Sequence, residues 1–438
     1  MLPVVRFPRI VEEHATWFDG VFATDEQRKH FREYVTGLIV GDEATVTAIN
    51  NLFLERNDQS ALNKFLTQAV WDEQALNRRR VQWELARLAR RPVSAEAGRL
   101  VIDDTLAHHT PCGMDGLAYL WDHTCQQYVW AHDVVTSYYV NRADQFPVDL
   151  RLWYQFQAKK ERQQLQQAAA LLRHQPTLAG QRQYLVDLLV FHLRQQIYRT
   201  KTVLAAELVT TAAHLGVPFS VVVFDGWFLH NDLIDSIEAA GKDWIGGCPK
   251  DRLVLVQGQW IQLQAYLATI PAAAYRPTQV HDQRYWTFTK VLTVKSLRSR
   301  RIRIVASFDN PDLKGQPRLL AANRKDWERT RILFTYGDRW PTETFNEDAK
   351  GHLGFEDYQL RKLCGIRRHW YLGLVAYSLL SDQGQPGHAR QGVRAPFEST
   401  GQRCHAVANE TLRHLVEWIA QRLTEGVPAT TVVQTLLA

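Results

Sequence analysis

The run Phe219–Phe224 (FSVVVF) is the feature that most constrains how this chain can fold. Strands that are buried on both faces have such continuous stretches of β-branched and aromatic residues, and they belong to sheets covered by helices. A helical pattern at 201–214 precedes the run, and a second one at about 231–240 leads to a short apolar strand at 244–246. The sequence therefore predicts a strand–helix–strand unit in an α/β protein.

Acidic residues follow two of the predicted strands. Asp225 comes directly after Phe219–Phe224, and Asp103 follows the shorter apolar run Leu100–Ile102. A carboxylate at the end of a strand is held by a rigid sheet and still meets solvent, which suits a metal ligand. A single such residue means little, because Asp is common in the turns after strands. Asp104 is the adjacent alternative to Asp103 as the first ligand.

A third acidic residue lies in a predicted helix with the spacing Y-x2-R-x3-E-x6-K, formed by Tyr336, Arg339, Glu343 and Lys350. At about 100° per residue, Glu343, Glu347 and Lys350 fall within about 60° of one another on the helix. A carboxylate and a cation in this arrangement suit a metal ligand and a phosphate contact. They also suit an exposed helix with ion pairs, which is the commoner case. Glu347 is a weaker alternative to Glu343.

Basic residues are concentrated in the strip Arg276–Arg331, where 14 Lys and Arg stand against 5 Asp and Glu. This excess is larger than the net charge of +6 of the whole chain, so the remainder is slightly acidic. The basic strip is either a solvated face or a surface for an anion such as a nucleic-acid backbone. Strand-like alternation at 287–294 and 301–305 predicts that it forms a small β-rich insertion. The candidate DNA contacts in it are Lys295, Arg298, Arg300 and Arg301.

Residues 1 to about 95 have helical patterns. Thr24 and Gln27 predict a capping box at the start of a helix that reaches about Ile39. A longer helix from about Glu73 to Arg90 is rich in arginine. Short helices that end in a basic helix fit either a DNA-reading module of the helix-turn-helix type or a packing bundle.

Five scattered cysteines without a CxxC spacing predict no disulfide framework and fit a reducing cytosol. Glu12 and Glu13 lie where a signal peptide would need its apolar core. The sequence contains no run of about 18 apolar residues, so it predicts no membrane span. We therefore expect a cytoplasmic protein with no membrane partner. His108, His109 and Cys112 are weak candidates for a metal site, because they are only three ligands in a predicted loop.

The acidic segments together resemble the DDE transposases of bacterial insertion sequences, which have an RNase H-like catalytic core. The segments that match the three motifs of this family are Asp103-Asp104-Thr105, Asp225-Gly226-Trp227-Phe228 and Tyr336–Lys350. The resemblance spans about residues 25–380, with further similar positions at 34–39 and 132–136. One departure is the stretch 107–113, where the family tends to be rich in lysine and this chain is not.

The resemblance implies an RNase H-like mixed sheet flanked by helices, with an N-terminal helical domain and a β-rich insertion. It also implies two Mg²⁺ ions, with Mn²⁺ as a possible substitute, for in-line displacement at a phosphodiester. The implied metal ligands are Asp103, Asp225 and Glu343. Arg339 and Lys350 would neutralise the charge of nearby phosphates, and Tyr336 would donate a hydrogen bond to a phosphate.

The function implied by the resemblance is that of a transposase that binds the terminal repeats of its element, cleaves the DNA and joins the ends to a target. Its partners would be double-stranded DNA and a second copy of the chain in a synaptic homodimer, near the nucleoid. Trp260 or Trp286 of the insertion would stack on a displaced base. The alternative is a domesticated relative that binds DNA without cleaving it.

Five segments are expected. They are an N-terminal helical DNA-binding domain at 1–95, the first part of the catalytic core at 96–248, the β-rich insertion at 249–330, the second part of the core with the Glu helix at 331–380, and a C-terminal loop with helices at 381–438. In the second part of the core, a strand at Arg331–Phe334 is predicted before a helix that begins near Pro341.

Overall fold

The computed structural model describes residues 3–56, 58–90, 98–111, 113–142, 144–382 and 399–437. Within these residues, twelve strands form one mixed sheet. The strands are β1 (Gly98–His108), β2 (Ala118–Asp122), β3 (Gln127–Val140), β4 (Gln145–Trp153), β5 (Phe219–Phe224), β6 (Asp243–Gly247), β7 (Leu253–Val256), β8 (Gln259–Gln262), β9 (Arg276–Val280), β10 (Gln283–Val294), β11 (Arg300–Phe308) and β12 (Arg318–Ala322). Their order is β2-β3-β1-β5-β6-β12-β11-β10-β7-β8, while β4 pairs with β3 and β9 pairs with β10.

The helices that the structure describes are α1 (Arg9–Phe18), α2 (Asp25–Val40), α3 (Val46–Asn51), α4 (Gln59–Thr67), α5 (Glu73–Ala89), α6 (Ala158–His174), α7 (Leu178–Ile197), α8 (Lys201–His214), α9 (Asn231–Ala239), α10 (Leu263–Ala268), α11 (Arg329–Gly337), α12 (Trp340–His352), α13 (Leu363–Asp382), α14 (Thr400–Thr424) and α15 (Ala429–Leu437). Thr24 caps α2 as predicted, because its side chain accepts a hydrogen bond from the N–H of Gln27. None of these helices is both long and apolar enough to cross a bilayer.

The centre of the sheet is the predicted strand–helix–strand unit. β5 runs parallel to β1 on one side and to β6 on the other, and α9 connects β5 to β6. The pairing of β5 with β1 ends at Phe224, opposite Ile102. β1 itself continues to His108, because β3 pairs with it along this whole length. The prediction that the first strand ends at Asp103 was therefore wrong: Asp103 lies inside β1, next to the end of β5.

The sheet separates two hydrophobic cores. Along β1, Val101 faces a core that includes α2, α12 and α13, whereas Leu100 and Ile102 face a core that includes α8 and α9. We call these sides the α13 face and the α8 face. Because successive residues of a strand point to opposite sides, Asp103 belongs to the α13 face and Asp104 to the α8 face.

The N-terminal helices share their core with α13 instead of forming a core of their own. Arg80 of α5 is fully buried and donates hydrogen bonds to Asn77, Ser378 and the carbonyl of Val148. At least one of the arginines of α5 therefore packs inside the protein instead of lying on a surface that could bind DNA. Whether this region binds DNA stays a prediction, as does the division of the chain into five segments, whose first boundary lies outside the described residues.

Two features of the second half bear on the site. The predicted strand at Arg331–Phe334 is wrong, since these residues belong to the helix α11. β12 already occupies the position next to β6, where it pairs antiparallel from Leu320 to Ala322. The β-rich insertion therefore continues the central sheet, and its predicted strands at 287–294 and 301–305 are confirmed within β10 and β11.

Candidate active site

Asp103 occupies the α13 face of β1 and is 8% exposed. Burial, opposed by Arg339 and assisted by the nearby carboxylates of Asp104 and Asp225, raises the pKa of its carboxyl to about 7. A buried carboxylate with this surplus of negative charge around it is stabilised by any cation that reaches it. The sheet thus provides an anionic site beside the end of β5.

Asp225 follows β5 and begins a short turn. Its Oδ1 accepts hydrogen bonds from the backbone N–H groups of Trp227, at 2.9 Å, and Phe228, at 3.3 Å. These bonds fix the carboxylate at the sheet edge. Burial raises the pKa of Asp225, and Asp104 raises it further. The turn passes close to Gly247 of β6, where a Cβ atom would lie 2.5 Å from the backbone nitrogen of Gly226.

The third predicted acid, Glu343, lies on α12, which has Pro341 in its first turn and places this acid close to Asp103. Arg339 donates from Nη1 to Oδ2 of Asp103 at 2.8 Å, and its Nη2 donates to Glu343. The guanidinium therefore lies between the two carboxylates and balances part of their charge. Glu347 is exposed on the same helix and takes no part in this contact, which favours Glu343 over Glu347.

Tyr336 and Lys350, the outer residues of the spacing, lie on either side of this pair. Burial raises the pKa of the Tyr336 hydroxyl, which also feels the charges of Arg339 and Asp225. Lys350 donates to the carbonyl of Leu106 at 2.6 Å and forms an ion pair with Glu356 at 3.0 Å. Tyr336 thus borders the acidic site, while Lys350 is tied to β1 three residues beyond Asp103.

Asp104 faces the other side of the sheet, where it belongs to a cluster that the sequence analysis did not predict. Lys201, at the start of α8, bonds Oδ2 of Asp104 at 2.6 Å and Oδ2 of Asp133 at 2.5 Å. Burial would lower the pKa of Lys201, but the two carboxylates raise it, so the ammonium stays charged. We call these three residues the Lys201 cluster. The sequence signal that could have pointed to this cluster was Asp133, which lies in the family-like stretch 132–136.

Two family models match the chain. The model described as a DDE superfamily endonuclease matches residues 18–266, and the model described as a transposase DDE domain matches residues 180–379. The first range contains Asp103 and Asp225, and the second contains Asp225 and Glu343. The chain belongs to the DDE endonuclease superfamily. No curated protein is similar enough to count as a match.

Membership of the DDE endonuclease superfamily accounts for the fold as an RNase H-like mixed sheet flanked by helices. It also supports nuclease-type catalysis and a DNA substrate. In this setting the acids of the α13 face are the candidate catalytic groups. Which residues are catalytic stays a prediction from their geometry.

Divalent metal ions are general in this superfamily, and the donor chemistry of the DDE endonuclease site fits them. Asp103, Asp225 and Glu343 offer carboxylate oxygens, the ligands that Mg²⁺ prefers. Within the part of the chain that the structure describes, no three Asp, Glu, His or Cys side chains are grouped as metal ligands. Arg339 explains this for Asp103 and Glu343, because its guanidinium lies between them.

The other predicted metal candidates are not brought together as a site. His108 is hydrogen-bonded through Nε2 to Asp122 at 2.7 Å. The ring of His109 packs against Tyr358 with a centroid distance of 4.3 Å. Cys112 lies outside the described residues.

The four basic residues proposed as DNA contacts of the DDE endonuclease differ in their surroundings. Arg298 and Arg300 both form ion pairs with Asp235 of α9. Lys295 lies 5.8 Å from the ring centre of Trp260, and Arg301 is exposed. The DNA contacts of all four stay predictions, but two of the charges are already paired with an acid.

The predicted stacking residues are also unlike each other. Trp260 is 37% exposed, whereas Trp286 is partly buried against the core of the α8 face. Two further tryptophans, which the sequence analysis did not single out, flank the acidic site: Trp227 follows Asp225 and Trp340 follows Arg339. Each is 69% exposed, and their position next to motif residues was the signal that could have identified them.

Proposed function

We propose that this DDE endonuclease is a transposase that binds the terminal repeats of its element, cleaves the DNA at the element ends and transfers the strands to a target. The proposal rests on the positions of three acids, Asp103, Asp225 and Glu343. They lie around the carboxyl end of β5, with Arg339 among them. Three carboxylates from distant parts of the chain leave a surplus of negative charge there. Such a surplus suits divalent cations and the phosphodiester that accompanies them.

In this proposal Asp103, Asp225 and Glu343 hold two Mg²⁺ ions, for which Mn²⁺ can substitute. The bound ions would activate a water or 3′-hydroxyl nucleophile and stabilise the leaving oxygen. Arg339 has a planar guanidinium that can bind a phosphate as it binds the two carboxylates here. Tyr336 borders the same site and would donate its hydroxyl hydrogen to a phosphate oxygen.

Both element ends must be cut and joined together, so we propose that the synaptic complex contains a homodimer on double-stranded DNA. The β-rich insertion would contact the ends through Lys295, Arg298, Arg300 and Arg301. Support for this comes from the concentration of basic residues in the strip Arg276–Arg331.

The test is Mg²⁺-dependent cleavage and strand transfer on DNA that carries the element ends, with Asp225→Ala and Glu343→Ala compared with the parent. We expect both variants to lose cleavage while they retain end binding in a gel-shift assay. Glu347→Ala is the matched control on the same helix, and we expect it to cut like the parent. Parent-like cleavage by the first two variants would refute the assignment of the acids.

The second candidate function is a domesticated relative that binds element ends without cleaving them. The same assay separates the two proposals, because a parent protein that binds the ends and never cuts them supports the second. The three acids of the α13 face favour the transposase.

A further inference from the structure

The helices α6 and α7 form a hairpin that stands apart from both cores. α6 has no buried residue, and α7 buries only Phe191. The hairpin is fixed at its base, where the ring of Phe156 contacts Phe191 at 5.7 Å and Tyr198 at 5.5 Å between ring centres. Arg194 adds an ion pair to Glu161 at 3.0 Å. These contacts hold the two helices together at the base of the hairpin, and most of the surface of the hairpin stays uncovered by the described residues.

α7 has two apolar sides with different surroundings. One side, with Tyr184, Leu188 and Phe191, lines a groove against α6. The other side carries seven aliphatic residues that are 45–65% exposed in the described part of the chain: Leu178, Leu185, Val186, Leu189, Val190, Leu193 and Ile197. At about 100° per residue these seven lie within an arc of about 140°, which makes one continuous apolar stripe. We call it the α7 stripe.

The size of the α7 stripe is that of an interface. α7 has 20 residues, so the stripe is about 30 Å long. Seven half-exposed aliphatic side chains present roughly several hundred Å² of apolar surface, while a standard interface buries about 800 Å² per partner. A contiguous apolar patch of this extent is among the largest that monomeric proteins expose, and such patches are often functional. A partner that covers the stripe would therefore gain most of its contact area from this one helix and its flanks.

The pattern of the α7 stripe is self-complementary about Leu189. If two α7 helices cross antiparallel at this residue, Leu185 of one faces Leu193 of the other, four residues on either side of the crossing. Arg182, which also falls within the arc of the stripe, then faces Gln196, whose side-chain oxygen can accept its hydrogen bond. The two-fold arrangement places no like charges opposite each other. A two-fold symmetric interface needs this property, because the same patch serves both copies.

We propose that a second copy of this chain covers the α7 stripe, with the two α7 helices antiparallel about a two-fold axis at Leu189. The two hairpins then form a four-helix arrangement with an aliphatic centre and polar ends, which is how a stable interface is composed. DNA does not suit the stripe, because its groups are aliphatic and cannot bind phosphates or base edges. The association belongs to the free protein and does not depend on the proposed function.

The first test is the mass of the purified full-length protein without DNA, measured by light scattering after size exclusion and by analytical ultracentrifugation. We expect a dimer of two 50.5 kDa chains. The double variant Leu189→Glu, Leu193→Glu should raise the dissociation constant by at least about 100-fold, since it places two unpaired charges of each copy in the apolar centre of the interface. Circular dichroism checks that the variant is folded. Leu171→Glu changes a leucine of α6 that is even more exposed, at 71%, and should leave the dimer intact.

The second test places the axis. In a Cys125→Ser background, which removes an exposed thiol, Leu189→Cys should form an intermolecular disulfide on mild oxidation because the residue faces its own copy. Leu178→Cys lies on the same stripe but far from the crossing, so it should not cross-link. A monomeric parent, a dimer unaffected by the two glutamates, or equal cross-linking at both positions would each overturn the proposal.

Discussion

Two neighbouring residues of β1, Asp103 and Asp104, lie in clusters of similar charge on opposite faces of the sheet. On the α13 face, Arg339 bridges Asp103 and Glu343. On the α8 face, Lys201 bridges Asp104 and Asp133. Each cluster has one cation for two carboxylates, so each retains a surplus of negative charge. The clusters differ in how exposed their carboxylates are to solvent.

On the α13 face, the side chain of Glu343 is 33% exposed and Asp225 adds a further carboxylate beside Asp103. On the α8 face, the side chain of Asp133 is 3% exposed, and Lys201 lies 5.4 Å from the ring centre of Trp153 and 6.0 Å from that of Trp227. Glu343 is therefore open to a further cation and Asp133 is not, while the side chain of Asp104 is 22% exposed and that of Asp103 is 12% exposed. We infer that the α13 face is the reactive site and that the Lys201 cluster holds β1, β3 and α8 in place behind it.

The largest expected effect separates Asp103 from Asp104. Asp103→Asn should lower Mg²⁺-dependent cleavage by at least about 1000-fold, because losing a metal ligand removes about 4 kcal/mol of transition-state stabilisation. Asp104→Asn should lower it by less than about tenfold, since Asp104 is not a proposed ligand and acts on the site through the position of the strand and through its charge, which raises the pKa values of Asp103 and Asp225. Single-turnover cleavage rates measure both. If the two effects were reversed, Asp104 would be the ligand and the comparison would fail.

The second expected effect concerns stability. Lys201→Met should destabilise the protein by about 3 kcal/mol, because Asp104 and Asp133 lose the buried ammonium that balances them. Urea unfolding at neutral pH measures the change. Lys201→Arg keeps the charge and is the matched control, with a smaller loss expected. Equal loss in the two variants would mean that Lys201 contributes by packing instead of charge.

The sequence predicted the parts of this comparison that depend on short-range spacing. The strand Phe219–Phe224 with Asp225 at its end, and the helix with Arg339 and Glu343 one turn apart, are both local patterns. The sequence did not predict that Asp103 and Asp104 point to opposite faces, because it placed both residues after the end of the strand. Which face is reactive could not be predicted, because it depends on where α12 packs after the long insertion.

The Lys201 cluster could not be predicted for a related reason. Lys201 and Asp104 are 97 residues apart, and nothing in the spacing relates them. The strand β4, which pairs with β3 beside the cluster, also had no predicted counterpart. Arg331–Phe334 was assigned to a strand because a short apolar run has no clear period, and tertiary packing placed it in α11 instead.

The third expected effect is a pH dependence of stability from the closed cluster. Burial and the neighbouring Asp104 together raise the pKa of Asp133 to about 7, although Lys201 opposes the shift. The folded protein then binds more protons than the unfolded chain between about pH 4 and pH 7, so stability should fall as pH rises through that range. Urea unfolding at pH 5 and pH 7.5 measures the fall.

Asp133→Asn should reduce this dependence, because the amide does not titrate, while Asp103, whose pKa is also raised to about 7, retains its own share. Gln167→Glu on the exposed hairpin adds an acid in solvent and serves as a control that should leave the slope unchanged. A slope that is the same in Asp133→Asn and the parent would show that the Lys201 cluster does not carry this titration, and the contrast in closure between the two clusters would lose its support.

The smallest expected effect extends the comparison of paired and unpaired charge to the basic strip. Arg298 and Arg300 already pair with Asp235, as Lys201 pairs with its acids, whereas Lys295 and Arg301 are exposed and form no such pair with Asp235 in the described residues. If the strip lies along DNA, log K falls with log salt by about 0.9 for each phosphate contact. Replacing Lys295 and Arg301 with Gln should therefore reduce the slope by up to about 2, measured by fluorescence anisotropy across a salt series. Replacing Arg298 and Arg300 should reduce it by less, because Asp235 competes with phosphate for their charge.

Equal reductions would mean that DNA displaces Asp235 from both arginines, and an unchanged slope in both pairs would place the DNA on another surface.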